Sequence, residues 1–154
     1  ETLDSDIVLS NGPCFSPDGS TLYFSDSIRR VIYAYDYDTG TNSIGPRRIH
    51  IDVGAMNDGA GDGATVDADG NLWVALVRSS EIGKFDVNGR LIETHKMPLS
   101  LPSSVMFGGP DLTDLYVTSI SNSLNRTSEG EWEGALVCVR GLGATGLPEP
   151  RFAG

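Results

Sequence analysis

Apolar residues gather along this chain in short runs broken by turn-forming residues, and no segment sustains the 3.6-residue period of a helix. One arrangement recurs three times: an apolar strand, a turn, then a second strand carrying an aromatic residue. The first copy runs from Asn11 to Ser27 with Pro17-Asp18-Gly19 as its turn, and the second from Asp62 to Ala75 with Asp69-Gly70. The third runs from Ser103 to Thr118 through a longer turn. Tyr23, Trp73 and Tyr116 mark the copies, and their spacing of 50 and then 43 residues falls near the period of a four-stranded propeller blade, roughly 40 to 50 residues.

Further strand candidates follow each marker, as such a blade requires. They are Val31–Tyr35 and Arg48–Ile51, then Ile82–Phe85 and Leu91–Met97 across Asn88-Gly89, then Ala135–Val139 with Arg151-Phe152-Ala153 as the last. The pattern predicts an all-β fold with about three four-stranded blades, over residues 7–55, 56–100 and 101–154 of a single unit 1–154. Propellers close with about 4 to 8 blades, so three imply a missing remainder: a preceding half, or a second copy pairing as a homodimer.

Composition agrees with this reading. Glycine at 19 and proline at 8 residues of 154 suit short strands and tight turns, and 39% apolar residues suffice for one packed core. The net charge of −10 excludes nucleic acid as an expected partner and makes a bound cation plausible. No apolar stretch approaches the ~20 residues that span a bilayer, so no membrane partner is expected. The expected location is cytoplasmic, with secretion left open because the chain starts at Glu1 without an initiator methionine. Asn125-Arg126-Thr127 reads as a chance sequon. Cys14 and Cys138, far apart and inside apolar stretches, are expected to be buried free thiols.

The innermost strand of each blade lines the central channel, and its entry positions converge on one rim. Asn11, Asp62 and either Ser103 or Ser104 hold that place. An amide oxygen, a carboxylate and hydroxyls are hard donors that suit Ca²⁺, Mg²⁺ or Mn²⁺ and also serve Zn²⁺. Such a cation would activate water for hydrolysis at neutral pH. On residue type alone, Asn-Gly and Asp-Gly are equally ordinary turn formers.

Other motifs carry less. Gly141-x-Gly143-x-x-Gly146 matches a dinucleotide fingerprint, but Leu147-Pro148-Glu149-Pro150 stands where its helix must start. Gly59-Ala60-Gly61 with Ala64 leads into a strand. Asp67 and Asp69 read as turn formers rather than as an EF-hand, since the glycine comes too early and Arg78 occupies the twelfth position. His50 and His95 lie in strand candidates without a nucleophile motif and read as surface or satisfied core residues.

The ordered set Ser10-Asn11-Gly12, Phe15–Gly19, Tyr23–Ser27, Asp62-Gly63, Val66–Ala75, Phe107-Gly108-Gly109, Leu115–Thr118, Gly141-Leu142-Gly143 and Phe152-Ala153-Gly154 resembles the senescence-marker-protein/gluconolactonase/luciferin-regenerating-enzyme family. The resemblance covers nearly the whole chain but only the second half of a family member. It implies a six-bladed β-propeller, of which this chain is the C-terminal half. It further implies one divalent metal ion (Ca, Zn, Mn or Mg) held by a first-blade glutamate, an S-N-G asparagine and a P-D-G aspartate. Two of these carry over, Asn11 and Asp62. Asp62 would be both metal ligand and catalytic general base, opening a small-molecule lactone by attack of activated water. Ser103 and Ser104 are candidate substrate-binding residues.

The same resemblance puts the glutamate and the substrate-orienting arginine and asparagine in the absent half, so the chain alone should be poorly active. Gly61 stands where the family usually has proline, which should loosen the site and makes Asp58 a second candidate ligand. The expected function is a metal-dependent, gluconolactonase-like lactonase. The alternatives are an inactive propeller segment used in assembly or ligand binding, and a phosphotriesterase-like hydrolase.

Overall fold

The structure, a computed structural model, describes residues 1–123, 126–127 and 130–149. The first sheet contains β1 (Ser10–Phe15), β2 (Thr21–Asp26), β3 (Val31–Asp38), the short β4 (Ser43–Ile44) and β5 (Arg48–Asp52), with β4 and β5 pairing different stretches of β3. A single 3₁₀ turn, Val53–Ala55, leads to the second sheet, a four-stranded antiparallel meander of β6 (Ala60–Val66), β7 (Leu72–Val77), β8 (Glu81–Phe85) and β9 (Leu91–Lys96). In the third sheet β10 (Pro102–Gly108) pairs with β11 (Asp114–Ser119), which pairs with β14 (Leu136–Val139). The small hairpin of β12 (Asn122–Ser123) and β13 (Arg126–Thr127) is inserted before β14. The fourth strand expected at Arg151-Phe152-Ala153, like Asn125 of the sequon, lies outside the described residues. The fold is all-β, of the β-propeller type, and no α-helix occurs among the described residues.

The sheets stack face to face, and β7 shows why the sequence reads as it does. Leu72, Val74 and Leu76 face the first sheet, packing with Tyr23, Ile32 and Ile51. Trp73 and Ala75 face the third, packing with Val105, Phe107 and Val117. A strand buried on both faces must be apolar at every position, so Leu72–Val77 is an unbroken run rather than an alternation. Each large side chain so buried contributes about 1.5–3 kcal/mol. Asp67 closes the second blade's hairpin from inside the core, accepting from the backbone N–H of Asp69 (3.1 Å) and Asn71 (2.8 Å) and from Trp73 Nε1 (2.9 Å).

Register fixes which positions correspond between blades. The aromatic markers Tyr23, Trp73 and Tyr116 pair with Cys14, Thr65 and Met106. Asn11, Asp62 and Ser103 each stand three residues before that partner. All three innermost strands also carry a bulge there, between Asn11 and Cys14, between Gly61 and Ala64, and between Pro102 and Ser104. Bulges re-aim side chains and cluster beside functional sites. The register therefore makes Ser103, not Ser104, the third-blade counterpart of Asn11 and Asp62.

The residue after each of the first two candidates is where successive innermost strands touch. A Cβ on Gly12 (φ +55°) would lie 2.5 Å from the Asp62 carbonyl oxygen, and one on Gly63 would lie 2.6 Å from Ser104 Cα. Asn-Gly and Asp-Gly here are interlocks between blades rather than hairpin turns. The Gly141–Gly146 segment also ties blades together: Ala68 N–H donates to Thr145 O (2.7 Å) and Gly146 N–H to Leu112 O (2.8 Å).

Both cysteines are free, but Cys138 is exposed, which corrects the expectation for that residue. Along β14 the alternation turns Val137 and Val139 toward the second blade and leaves Leu136 and Cys138 on the outer face. Cys14 is half-buried rather than buried, packed against the first core layer, where desolvation pushes its thiol up to about 12.

The interlock is testable with an internal control. Gly141 also has positive φ (+76°), but a Cβ added there would meet nothing within 4 Å. Gly141→Ala should therefore lose only the left-handed backbone preference, about 1 kcal/mol. Gly12→Ala should lose that plus a steric cost of about 1–3 kcal/mol. Equal losses in urea titrations of the two variants would refute the interlock.

Candidate functional site

A cavity of about 250 Å³ opens where the innermost strands enter, lined in part by Asn11 and Asp62. Its walls repeat with the blades. Leu9, Ala60 and Leu101 hold one equivalent position, two residues before the candidates, and Ser27, Val77 and Ile120 hold another, four residues after the markers. Ile28 and Arg78, one residue further on, form the third matched pair. The first blade thus contributes an amide and a hydroxyl, the second a carboxylate and a guanidinium, and the third only apolar groups.

The first blade's contribution is tightly set. Asn11 Nδ2 donates to Ser27 Oγ (2.9 Å), and Ser27 Oγ donates to the Gly61 carbonyl (2.7 Å). With its NH₂ engaged, the Asn11 amide has its oxygen available as an acceptor or ligand. The turn that carries Ser27 is held by buried Asp26, whose carboxylate accepts from the backbone N–H of Val8 (2.9 Å), Leu9 (3.3 Å), Ile28 (3.2 Å) and Arg29 (3.1 Å). Burial alone would raise the pKa of Asp26, but the amide donors and the Arg29 guanidinium outweigh it and hold the carboxyl below its ordinary value.

Asp62 is the opposite case. No described residue donates a hydrogen bond to its carboxylate, and burial alone pushes its pKa up to about 6. A half-buried carboxylate without a donor beside an oriented amide oxygen is the donor set a hard cation seeks, so these two residues fit a divalent metal ion. Among the described residues no group of three His, Cys, Asp or Glu side chains converges to hold a metal.

The other sequence candidates lie apart. Ser103 Oγ is hydrogen-bonded to Thr118 Oγ1 (2.9 Å), exposed Ser104 covers Gly63, and neither lines the cavity. Asp58 is exposed in the preceding loop and does not line it either. That loop is not slack: Arg30 donates from Nε to Gly59 O (2.8 Å) and from its terminal nitrogen to Asn57 O, while Ser27 fixes Gly61. Side-chain clamps thus replace the restraint a proline would give. His95 stacks on Trp73 (5.4 Å between ring centroids) and His50 tilts against Tyr23 (5.0 Å), both within blade packing. Ser27 and Arg78 escape sequence reading. The one signal for Ser27 is its place just past the second strand, four residues after the marker.

A family model described as "SMP-30/Gluconolactonase/LRE-like region" matches residues 1–121. Regucalcin of Gallus gallus is 35% identical over 149 residues, covering 95% of this chain and 50% of that protein. The 6-deoxy-6-sulfogluconolactonase of Pseudomonas putida is 30% identical over 156 residues, covering 100% of this chain and 53% of that protein. Among solved structures, a calcium-binding protein, regucalcin, from Agrobacterium tumefaciens superposes with a TM-score of 0.87 at 29% identity, covering 97% of this chain and 51% of that one. The chain therefore spans about half the length of the relatives it matches. With the blade repeat, the interlocking glycines and the Asn11–Asp62 cavity all in place, it belongs to the SMP-30/gluconolactonase/LRE-like family.

Proposed function

We propose that this chain supplies two metal-holding donors and the proton-accepting carboxylate of a hydrolase that opens sugar lactones. The observation that carries the reading is the shared cavity: an oriented amide oxygen from one blade and a donor-free carboxylate from the next, at equivalent bulged positions. The lactonase name of the Pseudomonas putida relative and the calcium-binding description of the Agrobacterium protein support it.

Asn11 Oδ1 and Asp62 would hold a divalent ion (Ca²⁺, Zn²⁺, Mn²⁺ or Mg²⁺), which supplies Lewis acidity toward a carbonyl oxygen and toward water. The further ligand would come from a preceding propeller half or from a second copy. Asp62 accepts a proton from the water whose oxygen bonds to the lactone carbonyl carbon. When the ring C–O bond breaks, the departing oxygen recovers that proton, and the product is the open hydroxy acid. Ser27 keeps the Asn11 oxygen toward the cavity, and Leu9, Leu101 and Ile120 limit water around the reacting carbonyl.

Burial of Asp62 sets a measurable conflict with stability. Its folded pKa of about 6 lies above its unfolded value of 3.8, so the carboxyl favours the fold while protonated and opposes it once ionised. Its stabilising contribution is present below about pH 4 and lost as pH rises through 6. In EDTA, Asp62→Asn should therefore melt higher than the parent at pH 8 and equally at pH 3.5. A variant that melts lower at pH 8 would mean that the carboxylate is paired in the fold.

For the chemistry, aldonolactone hydrolysis by the protein should require a divalent ion, stop in EDTA, and fall on the order of 10²–10⁴-fold in Asp62→Ala. Ser27→Ala should weaken metal binding, read by calorimetry, about 10–100-fold, and Ser27→Thr should restore it. Turnover indifferent to metal and to Asp62 would overturn the reading.

A further inference from the structure

Arg78 lines the same cavity as Asp62 and is the one cationic side chain among the residues that form its wall. It occupies the turn between β7 and β8 with φ +80°, a conformation that a non-glycine residue adopts at a cost and that glycine or asparagine would take more easily. The turn is built firmly around it. Ser79 donates to the Leu76 carbonyl from both its backbone N–H (3.2 Å) and its hydroxyl (2.9 Å), and the Ser80 carbonyl accepts from Met97 N–H (2.8 Å). The guanidinium has no ion pair or hydrogen bond with any described residue. The matching first-blade position is Ile28, so blade geometry alone does not call for a charge there.

An exposed arginine in a strained, anchored turn, unpaired and set on a cavity wall, has the features of a ligand-binding fork. In a chain of net charge −10 an anionic ligand needs a local cation to enter such a cavity. The planar guanidinium matches a carboxylate with two parallel hydrogen bonds.

We propose that Arg78 is a specificity-determining residue that selects lactones bearing a second, carboxylate group remote from the ring carbonyl, such as those formed from aldaric acids. The inference rests on the lactonase reading for the identity of the reacting group, but not for the anion contact itself. At about 250 Å³ the cavity lies just below the range usual for drug-sized ligands, which suits a compact sugar acid.

Two unreactive open-chain acids test it directly: glucarate, with two carboxylates, and gluconate, with one, titrated calorimetrically into the full protein. Glucarate should bind at least tenfold tighter than gluconate. Arg78→Ala and Arg78→Gly should abolish that preference, and Arg78→Lys should keep part of it. Arg78→Gly relieves the positive-φ strain while removing the guanidinium, so it separates loss of the anion contact from loss of folding. Equal affinities in the parent, absence of binding by either acid, or a preference that survives Arg78→Gly would each overturn the proposal. A parallel lactone-hydrolysis assay keeps the two readings apart. Lack of turnover on any lactone once the remaining propeller half is supplied, with the glucarate preference intact, sinks the lactonase reading alone, and turnover without the preference sinks the Arg78 assignment alone.

Discussion

The structure depends on how closely successive innermost strands can approach. Gly12 and Gly63 let β1 reach β6 and β6 reach β10 at distances that admit no Cβ, and each follows a residue that faces the central rim. A side chain at either glycine would force the neighbouring innermost strands apart next to Asn11 or Asp62. The same contact that closes the packing between sheets therefore sets the position of Asn11 and Asp62 relative to each other. The bulges at these positions follow from this constraint, since an extra residue lets the strand turn its polar group toward the rim while Cys14 and Val66 return to the core.

Around that constraint, polar groups on the two blades are handled in opposite ways. On the first blade the polar groups around the site are tied: Asp26 gathers four backbone donors, Ser27 relays between Asn11 and Gly61, and Arg30 holds the loop before β6. On the second, Asp62 is left without a donor among the described residues. A network that satisfies its own members rigidifies a site, and one carboxylate left unsatisfied gives it something to do.

Much of this was legible in the sequence, for reasons that can be named. The repeat appears because the first two blades bury an aromatic residue, Tyr23 or Trp73, against the next, and Asn11 and Asp62 each stand three residues before the strand partner of that aromatic. Ser103 could not be separated from Ser104 without the register, because a bulge shifts apparent alignment by one residue. Ser27 and Arg78 were hidden because they reach the cavity from the turn after the second strand, brought there by strand pairing rather than by sequence proximity. The expected looseness before Asp62 failed for a similar reason: the restraint comes from Arg30 and Ser27, some 30 residues earlier in the chain. Cys138 read as buried because its neighbours are apolar, whereas a strand beside an open face exposes every second residue.

The two aspartates of β6 and its turn show how little residue type alone decides. Asp62 and Asp67 lie five residues apart, both beside glycine-rich sequence, Asp67 buried and Asp62 half-buried. Asp67 meets backbone amides, the Asn71 side chain and the Trp73 indole, with Lys84 Nζ at 3.9 Å, so its charge is spent on holding the hairpin to the core. Asp62 meets none of these and faces a cavity. A carboxylate already saturated by donors has no lone pair left to bind a cation or accept a proton, and a half-buried one without protein donors keeps both capacities. The division of labour along this strand is thus set by where the bulge turns each side chain, which returns to the spacing that Gly12 and Gly63 permit.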